Sequence, residues 1–348
     1  MSTSHVVVQT AFIGDVFLSI PFLKRLRALY PNDKIIFVAK KGVADYLLKL
    51  QVIDELLTVN KGDKSSYHKA VKKINSHNDV ANVFCLHRSF RSALFTWQLK
   101  AKKKYGFSQG LNFLFFSKTI KYVKAFPDAI RQMSLLAPID PITAAKIQEK
   151  DWSYLNFSDQ RGHFANIPDF FSMHPEGHSF NTHKKIALFP GSVWETKKWP
   201  VNYYAELTEK LLAHNYEVFL MGGPEEAALC EEIKAKNSTA QVLAGKMKLV
   251  ESIDFLKTCD LIIGNDSSPS HLGASVGTPV LSIFGPTTLN LGFRPWLDHS
   301  VVVENRDLPC RPCGLHGHNK CPLGHHKCMK DLTADQVFHS AKEILKKQ

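Results

Sequence analysis

The sequence predicts an α/β protein built from two successive parallel-sheet domains with a cleft between them. Three observations carry this. The chain has 348 residues, comfortable for two domains of ordinary size. Short β-branched runs alternate with helical apolar spacing from His5 to Leu136, and again from Lys185 to Lys347. Between the two series, residues 155–183 hold Asn, Asp, Gly, Pro and four His with little periodicity, which reads as a linker or domain edge. The bounds that follow are 1–165 for the first domain, 166–183 for the linker, 184–331 for the second domain and 332–348 for a C-terminal helix.

In order, strands are expected at 5–9, 34–39, 55–59 and 80–86, with helices at 16–30, 42–50, 66–76, 90–99 and 128–136. The aromatic, Gly-punctuated stretch 105–119 reads as a loop-rich region near a cleft. The second series places strands at 185–189, 217–221, 261–264 and 280–284. Its helices fall at 201–214, 224–236, 249–257, 269–276 and 332–347. No internal repeat or low-complexity tract interrupts the pattern.

Composition narrows the class. Hydrophobic residues make up 44% and charged residues 22%, the balance of a globular protein. No run of about 18 apolar residues is present, which excludes a membrane-spanning helix. Met1–His5 lacks the basic start of a signal peptide, and Asp15 interrupts the apolar run that follows. With only seven cysteines, this points to a reducing cytoplasm. The net charge of +12 is unevenly spread: residues 1–150 hold 24 basic and 10 acidic side chains, residues 151–348 hold 20 and 22. The first half is therefore suited to an anionic partner such as nucleic acid, a phosphorylated lipid headgroup or an acidic sugar, or simply has a solubilising surface.

Four segments carry chemistry. In Phe12-Ile-Gly14-Asp15 a glycine turn presents a carboxylate after the first strand, where open α/β sheets bind ligands; an Asp capping the next helix would look the same. The G-x-G-x-x-G dinucleotide fingerprint is missing. Pro190-Gly-Ser192 through Lys197-Lys198-Trp-Pro200 brings backbone N–H groups, a hydroxyl and ammonium groups to a strand end, a combination suited to a diphosphate. Asn265-Asp266-Ser267-Ser268-Pro-Ser-His271 and Phe284-Gly-Pro-Thr287 put small and polar residues at two adjacent strand ends, one of them a helix N-terminus. Cys310-x2-Cys313-x7-Cys321-x6-Cys328 could hold a structural zinc or iron ion, or be reduced thiols in a compact loop. Cys85, Cys230 and Cys259 read as core residues. Two further features are basic. Arg88 and Arg91, flanking Ser89 at a strand-to-helix junction, suit a carboxylate or phosphate. Lys100–Lys104 is a solvated face that could touch an anionic headgroup.

Together the segments resemble the ADP-heptose:lipopolysaccharide heptosyltransferases of glycosyltransferase family 9, most of all the heptosyltransferase II branch. The pieces are Ile13-Gly-Asp-Val16 with Pro21, Ser89-Phe-Arg-Ser-Ala-Leu94, the Pro190–Pro200 and Asn265–His271 segments, Phe284–Thr287, and the cysteine-rich tail with Cys321-Pro-Leu-Gly-His-His-Lys-Cys328. That resemblance implies a GT-B architecture, two Rossmann-like domains with the acceptor held by the first and the nucleotide-sugar by the second. It implies inverting, metal-independent transfer from ADP-L-glycero-β-D-manno-heptose to an inner-core heptose of lipopolysaccharide. Asp15 then matches the general base and Lys197 the lysine at the donor phosphates. Asp266, Ser267 and Ser268 match the donor loop, with His271 just after it. Ser192, Lys198 and Thr287 join the donor set, and Gly14, Arg88, Ser89 and Arg91 the acceptor set. The loop reads Asp-Ser-Ser where many relatives carry Asp-Ser-Gly or Asp-Thr-Gly, so Ser268 adds a side chain there.

On this reading any metal at the cysteine segment is structural, lying outside the phosphate site. The anionic acceptor explains the basic first half, and the enzyme works in the cytoplasm with peripheral contact at the inner membrane. Transfer of another sugar, or to another acceptor, fits the same residues. A nucleic-acid-binding protein fits them poorly, because the cysteine cluster sits in the half of net charge −2 and no stacking motif accompanies the basic residues.

Overall fold

The computed structural model describes residues 3–124, 126–148, 184–293 and 300–346. The chain falls into two compact units, residues 1–152 and 153–348. The expected boundary at 165 and the linker 166–183 lie outside the described residues.

The first unit holds a six-stranded sheet of β1 (Ser4–Val8), β2 (Lys34–Lys40), β3 (Glu55–Val59), β4 (Val80–Cys85), β5 (Lys103–Ser108) and β6 (Lys118–Lys121), in the order β3-β2-β1-β4-β5-β6. Every pairing is parallel, with Val7 opposite Phe37 on one side and Phe84 on the other. Parallel strands covered on both faces need apolar side chains at consecutive positions. Val6, Val7 and Val8 are all fully buried, as are Ile35 to Ala39. The chain starts in the middle, winds outward to β3, then crosses back to β4. Neighbouring strands β1 and β4 therefore send their following loops to opposite sides, which opens a crevice at their carboxyl ends.

The second unit repeats this winding. Its strands are β7 (Lys185–Phe189), β8 (Glu217–Leu220), β9 (Gln241–Val242), β10 (Leu261–Asn265), β11 (Val280–Phe284) and β12 (Val301–Glu304), in the order β12-β11-β10-β7-β8-β9. Ile263 lies between Leu188 and Leu281, all three buried. Burial of each such side chain contributes about 2 kcal/mol. The corresponding crevice falls between β7 and β10. Trp199 is buried against Tyr204, and its Nε1 donates to the Leu332 carbonyl at 2.8 Å, which fastens the start of the terminal helix Ala334–Lys346 to the sheet.

Several expectations need correction. The single helix expected over 16–30 is two, Ile13–Phe17 and Ile20–Leu29. Pro21 has no N–H for a continuous helix, and the Ser19 hydroxyl bonds back to the Val16 carbonyl at 2.5 Å. The stretch 105–119 contains most of β5 and the start of β6; the lysines at their ends and their short length mask the alternation of an edge region. Helix Pro141–Gln148 was not anticipated. Its start is organised by Asp140, which accepts from the Ile142 N–H and the Thr143 hydroxyl and pairs with Arg25 through two bonds of 2.7 and 2.8 Å. Strands β9 and β12 are additional, each too short to show a period. Among the described residues no helix is long and apolar enough to cross a membrane.

Candidate active site

At the β1/β4 crevice of the first unit, Asp15 sits in the five-residue helix that follows β1. Its Oδ2 accepts from the Phe12 N–H at 3.1 Å, so it does cap its own helix. It is also half-buried next to a second carboxylate. Burial, and then the charge of Asp128, push Asp15 up to about 7, while the Phe12 N–H and Lys40 pull the other way. Gln132 Nε2 ties the pair together, donating to Asp128 Oδ2 at 2.8 Å and to the Asp15 carbonyl at 3.3 Å. Gly14 is buried within the helix, where its carbonyl accepts the Leu18 N–H.

Across the crevice, Ser89 caps the helix Phe90–Trp97 by accepting from the Ser92 N–H. Arg88 stacks over Tyr122, 3.7 Å from the ring centroid, and donates to Gln109 Oε1. Arg91 stands exposed, with a long 3.4 Å bond to the Lys61 carbonyl. His87 Nδ1 lies 2.9 Å from Thr10 Oγ1 and 3.0 Å from Ser92 Oγ, joining the ends of β1 and β4. Burial, then Lys40, Arg88 and Lys61, hold this imidazole down at about 4, so it stays neutral near pH 7. Lys40 ends β2 and Lys61 follows β3, much as Asp15 follows β1, and the same strand-end rule could have identified them from sequence. Nothing local marks Asp128 or Gln132, which arrive on a helix 113 or more positions away from Asp15.

In the second unit the β7/β10 crevice brings Lys197, Asp266 and Thr287 into one bonded set. Lys197 Nζ donates to Asp266 Oδ2 at 2.6 Å and to its carbonyl at 3.0 Å; Thr287 Oγ1 donates to the same Oδ2 at 2.5 Å. Asn265, fully buried, holds the surrounding loops. Its Oδ1 accepts from the Trp199 N–H and the Tyr204 hydroxyl, and its Nδ2 donates to the carbonyls of Pro190 and Gly191. Ser267 and Ser268 open the nine-residue helix Ser268–Val276, whose N-terminus faces the end of β10; His271 is buried one turn in, its ring 6.4 Å from that of Phe293. Ser192 is used locally, accepting weakly from the Trp194 N–H, and Lys198 pairs with Glu195 at 2.5 Å.

Residues 70–323, well over half of the chain, match the family model of glycosyltransferase family 9 (heptosyltransferase). The chain belongs to that family. The glycosyltransferase is 26% identical to a lipooligosaccharide heptosyltransferase 2 of Campylobacter jejuni, over 96% of each chain. Its fold matches a glycosyl transferase family 9 structure from Veillonella parvula at a TM-score of 0.77, with 24% identity over 99% of this chain and 98% of that one. It matches the ADP-heptose lps heptosyltransferase II of E. coli at 0.75, with 20% identity over 99% of both. The two Rossmann-like parallel sheets are thus those of the GT-B heptosyltransferases.

The cysteine-rich segment lies closer to the glycosyltransferase's second crevice than expected. Arg311, its side chain four per cent exposed, donates to the carbonyls of Gly285 (2.5 Å), Thr287 (2.7 Å) and Asn305 and pairs with Glu304 at 2.7 Å. The Cys313 N–H donates to the Pro286 carbonyl. On the other side, the Thr196 N–H donates to the His318 carbonyl at 3.0 Å, and the His318 N–H returns a bond to Thr196 Oγ1 at 2.7 Å. Gly317, at φ +79°, has no room for a side chain there: a Cβ would stand 2.8 Å from Thr196 Oγ1. The segment therefore grips both loops that carry Lys197 and Thr287, rather than lying apart from the site.

All four of its thiols are free, Cys328 buried and the others half-buried. Burial pushes Cys328 up to about 11; Arg311 pulls the other way, and the other three thiols add a smaller upward push. The donor set is chemically right for a thiophilic ion, yet among the described residues no three His, Cys, Asp or Glu side chains converge as metal ligands would. Cys85, Cys230 and Cys259 are buried core residues.

Proposed function

We propose that the protein transfers a heptose from ADP-heptose to an inner-core heptose of lipopolysaccharide with inversion at the anomeric carbon. The observation that carries this reading is the Lys197–Asp266–Thr287 set beside a helix N-terminus, a site suited to a diphosphate. The Campylobacter and E. coli relatives supply the sugar and the acceptor class. In the proposed reaction an acceptor hydroxyl oxygen bonds to the anomeric carbon as that carbon's bond to the phosphate oxygen breaks. The hydroxyl proton passes to Asp15, whose raised pKa suits a base working near neutral pH. The departing ADP carries the electron pair, and Lys197, the hydroxyls of Ser192, Ser267 and Ser268, and the helix N-terminus hold the charge that develops on it. His271 supports that helix from its buried side, and Lys198 lies at its rim. Gly14, Arg88, Ser89 and Arg91 border the acceptor site, with neutral His87 bracing it.

No step draws on a metal. A zinc or iron ion at Cys310, Cys313, Cys321 and Cys328 would require those side chains to turn toward one point, and its place would be in holding the loops that Arg311 and Thr196 already bind. The reaction belongs on the cytoplasmic side of the inner membrane, where the acceptor's phosphates meet the basic first unit.

Thermal shift with ADP, ADP-heptose, UDP and UDP-glucose, followed by NMR of the product's new anomeric centre, tests the reading. Selective stabilisation by the adenosine compounds and an inverted linkage are expected. Preference for the uridine compounds, or retention of configuration, overturns it.

A further inference from the structure

Six of the twelve large apolar side chains exposed among the described residues, Phe90, Leu94, Trp97, Leu111, Phe113 and Leu114, lie within 25 positions of one another. The first three recur at helical spacing along the outer face of Phe90–Trp97; the others belong to the 3-10 turn Gly110–Phe115. Half-buried Phe115 joins the two groups, its ring 5.4 Å from Phe90 and 6.5 Å from Trp97. Trp97 is 56% exposed, Leu111 66% and Leu114 64%. A concentrated apolar surface of this kind on a globular unit marks a place where something docks.

The surrounding charge identifies what docks. Between Asp79 and Asp128 there is no carboxylate side chain, and nine Lys and Arg residues occupy the interval. Arg91 and Lys100 are exposed in the helix Phe90–Trp97 and just beyond it, and Lys104 Nζ donates to the Trp97 carbonyl at 2.7 Å, fixing an ammonium against the end of the apolar face. Asn112, in the turn, donates to the Arg88 carbonyl, so the face adjoins the β1/β4 crevice. Aromatic and leucine side chains bordered by cationic groups match the interface of an anionic bilayer, where rings settle at headgroup depth and cations meet phosphates.

We propose that this face, formed by the helix Phe90–Trp97, the turn Gly110–Phe115 and the bordering Arg91, Lys100 and Lys104, docks the protein on an anionic lipid surface. It names the surface that carries the membrane contact, and would deliver a membrane-anchored acceptor to the adjoining crevice.

Sedimentation with vesicles of phosphatidylcholine alone, or with about one third phosphatidylglycerol, tests it with no sugar nucleotide or acceptor present. Binding to the anionic vesicles is expected, weakening in ~0.5 M salt. Trp97→Ser with Leu114→Ser should lower the bound fraction about tenfold at an unchanged melting temperature. Lys100→Glu with Lys104→Glu should abolish the preference for anionic vesicles, and serves as the second test should the apolar variant lose its fold. Absence of binding, or equal binding by both variants and the parent, overturns the proposal. So does self-association that the Trp97/Leu114 variant abolishes without any vesicle binding, which would assign the face to a second copy. Because no substrate enters the assay, its failure leaves the transfer reading standing, and failure of transfer leaves docking standing.

Discussion

Asp15 illustrates how one side chain serves two demands that conflict. As a helix cap it is satisfied by the Phe12 N–H, but burial beside Asp128 makes its charged form costly. The folded state therefore holds a proton that the unfolded chain releases, and stability falls as the pH rises from the ordinary carboxylate range through about 7. Asp15→Asn keeps an oxygen for the cap and removes the charge. It should raise the melting temperature at pH 8, by a margin that shrinks as the pH falls toward 4, while turnover drops at least 100-fold, on the order of losing a general base. A melting temperature that is unchanged at pH 8 would mean Asp15 is not strained in its charged form. Asp128 acts on the same carboxylate through space. Asp128→Asn removes the repulsion, so the limb of the pH–rate profile on which activity rises with pH should move to lower pH, with the plateau kept within a few-fold. Asp15 was legible in the sequence because a glycine turn after a strand exposes whatever follows. Asp128 was not, since its approach to Asp15 is a matter of tertiary packing alone.

At the level of elements, the central strands of each sheet were readable because parallel strands covered on both faces are written as unbroken apolar runs, as in Val6–Val8 and Leu261–Ile263. The periphery was not. Strand β6 has two lysines in four residues, and β9 has only two residues in all. The same contrast holds for the site. Lys197, Asp266 and Thr287 follow strands and could be anticipated, whereas Arg311 lies in a loop whose cysteines drew attention to metal chemistry. Its guanidinium fork bonds main-chain carbonyls on both sides of Thr287's loop, a geometry that a lysine cannot reproduce. Arg311→Lys should therefore lower stability by about 2 kcal/mol and raise the KM for ADP-heptose about tenfold, with the acceptor KM unchanged. Calorimetry and steady-state kinetics read the two effects separately. A lowered melting temperature with an unaltered donor KM would show that the clamp supports the fold but not the loop's function.

Over the whole molecule, charge is divided as unequally as the chemistry. The first 150 residues carry 24 basic and 10 acidic side chains, and the remainder is nearly balanced at 20 and 22. Attraction of an anionic acceptor by a field of that sign is screened by salt. The acceptor KM should rise about tenfold between ~0.05 and ~0.3 M ionic strength while the donor KM changes far less. Equal sensitivity of both would separate the basic surface from acceptor capture. The strand order bears on this division too. Both sheets start at the centre, wind to one edge and cross to the other, with no trace of repetition in the amino-acid sequence. Each half thereby completes a crevice from its own strands. On the proposed assignment, the choice of sugar and the choice of recipient are inherited as separable modules. A recombination joining the first half of this chain to the second half of a relative with a different donor should yield a hybrid that places a new sugar on the old recipient. Diversity in the glycans such enzymes build can arise from shuffling halves, with neither crevice redesigned.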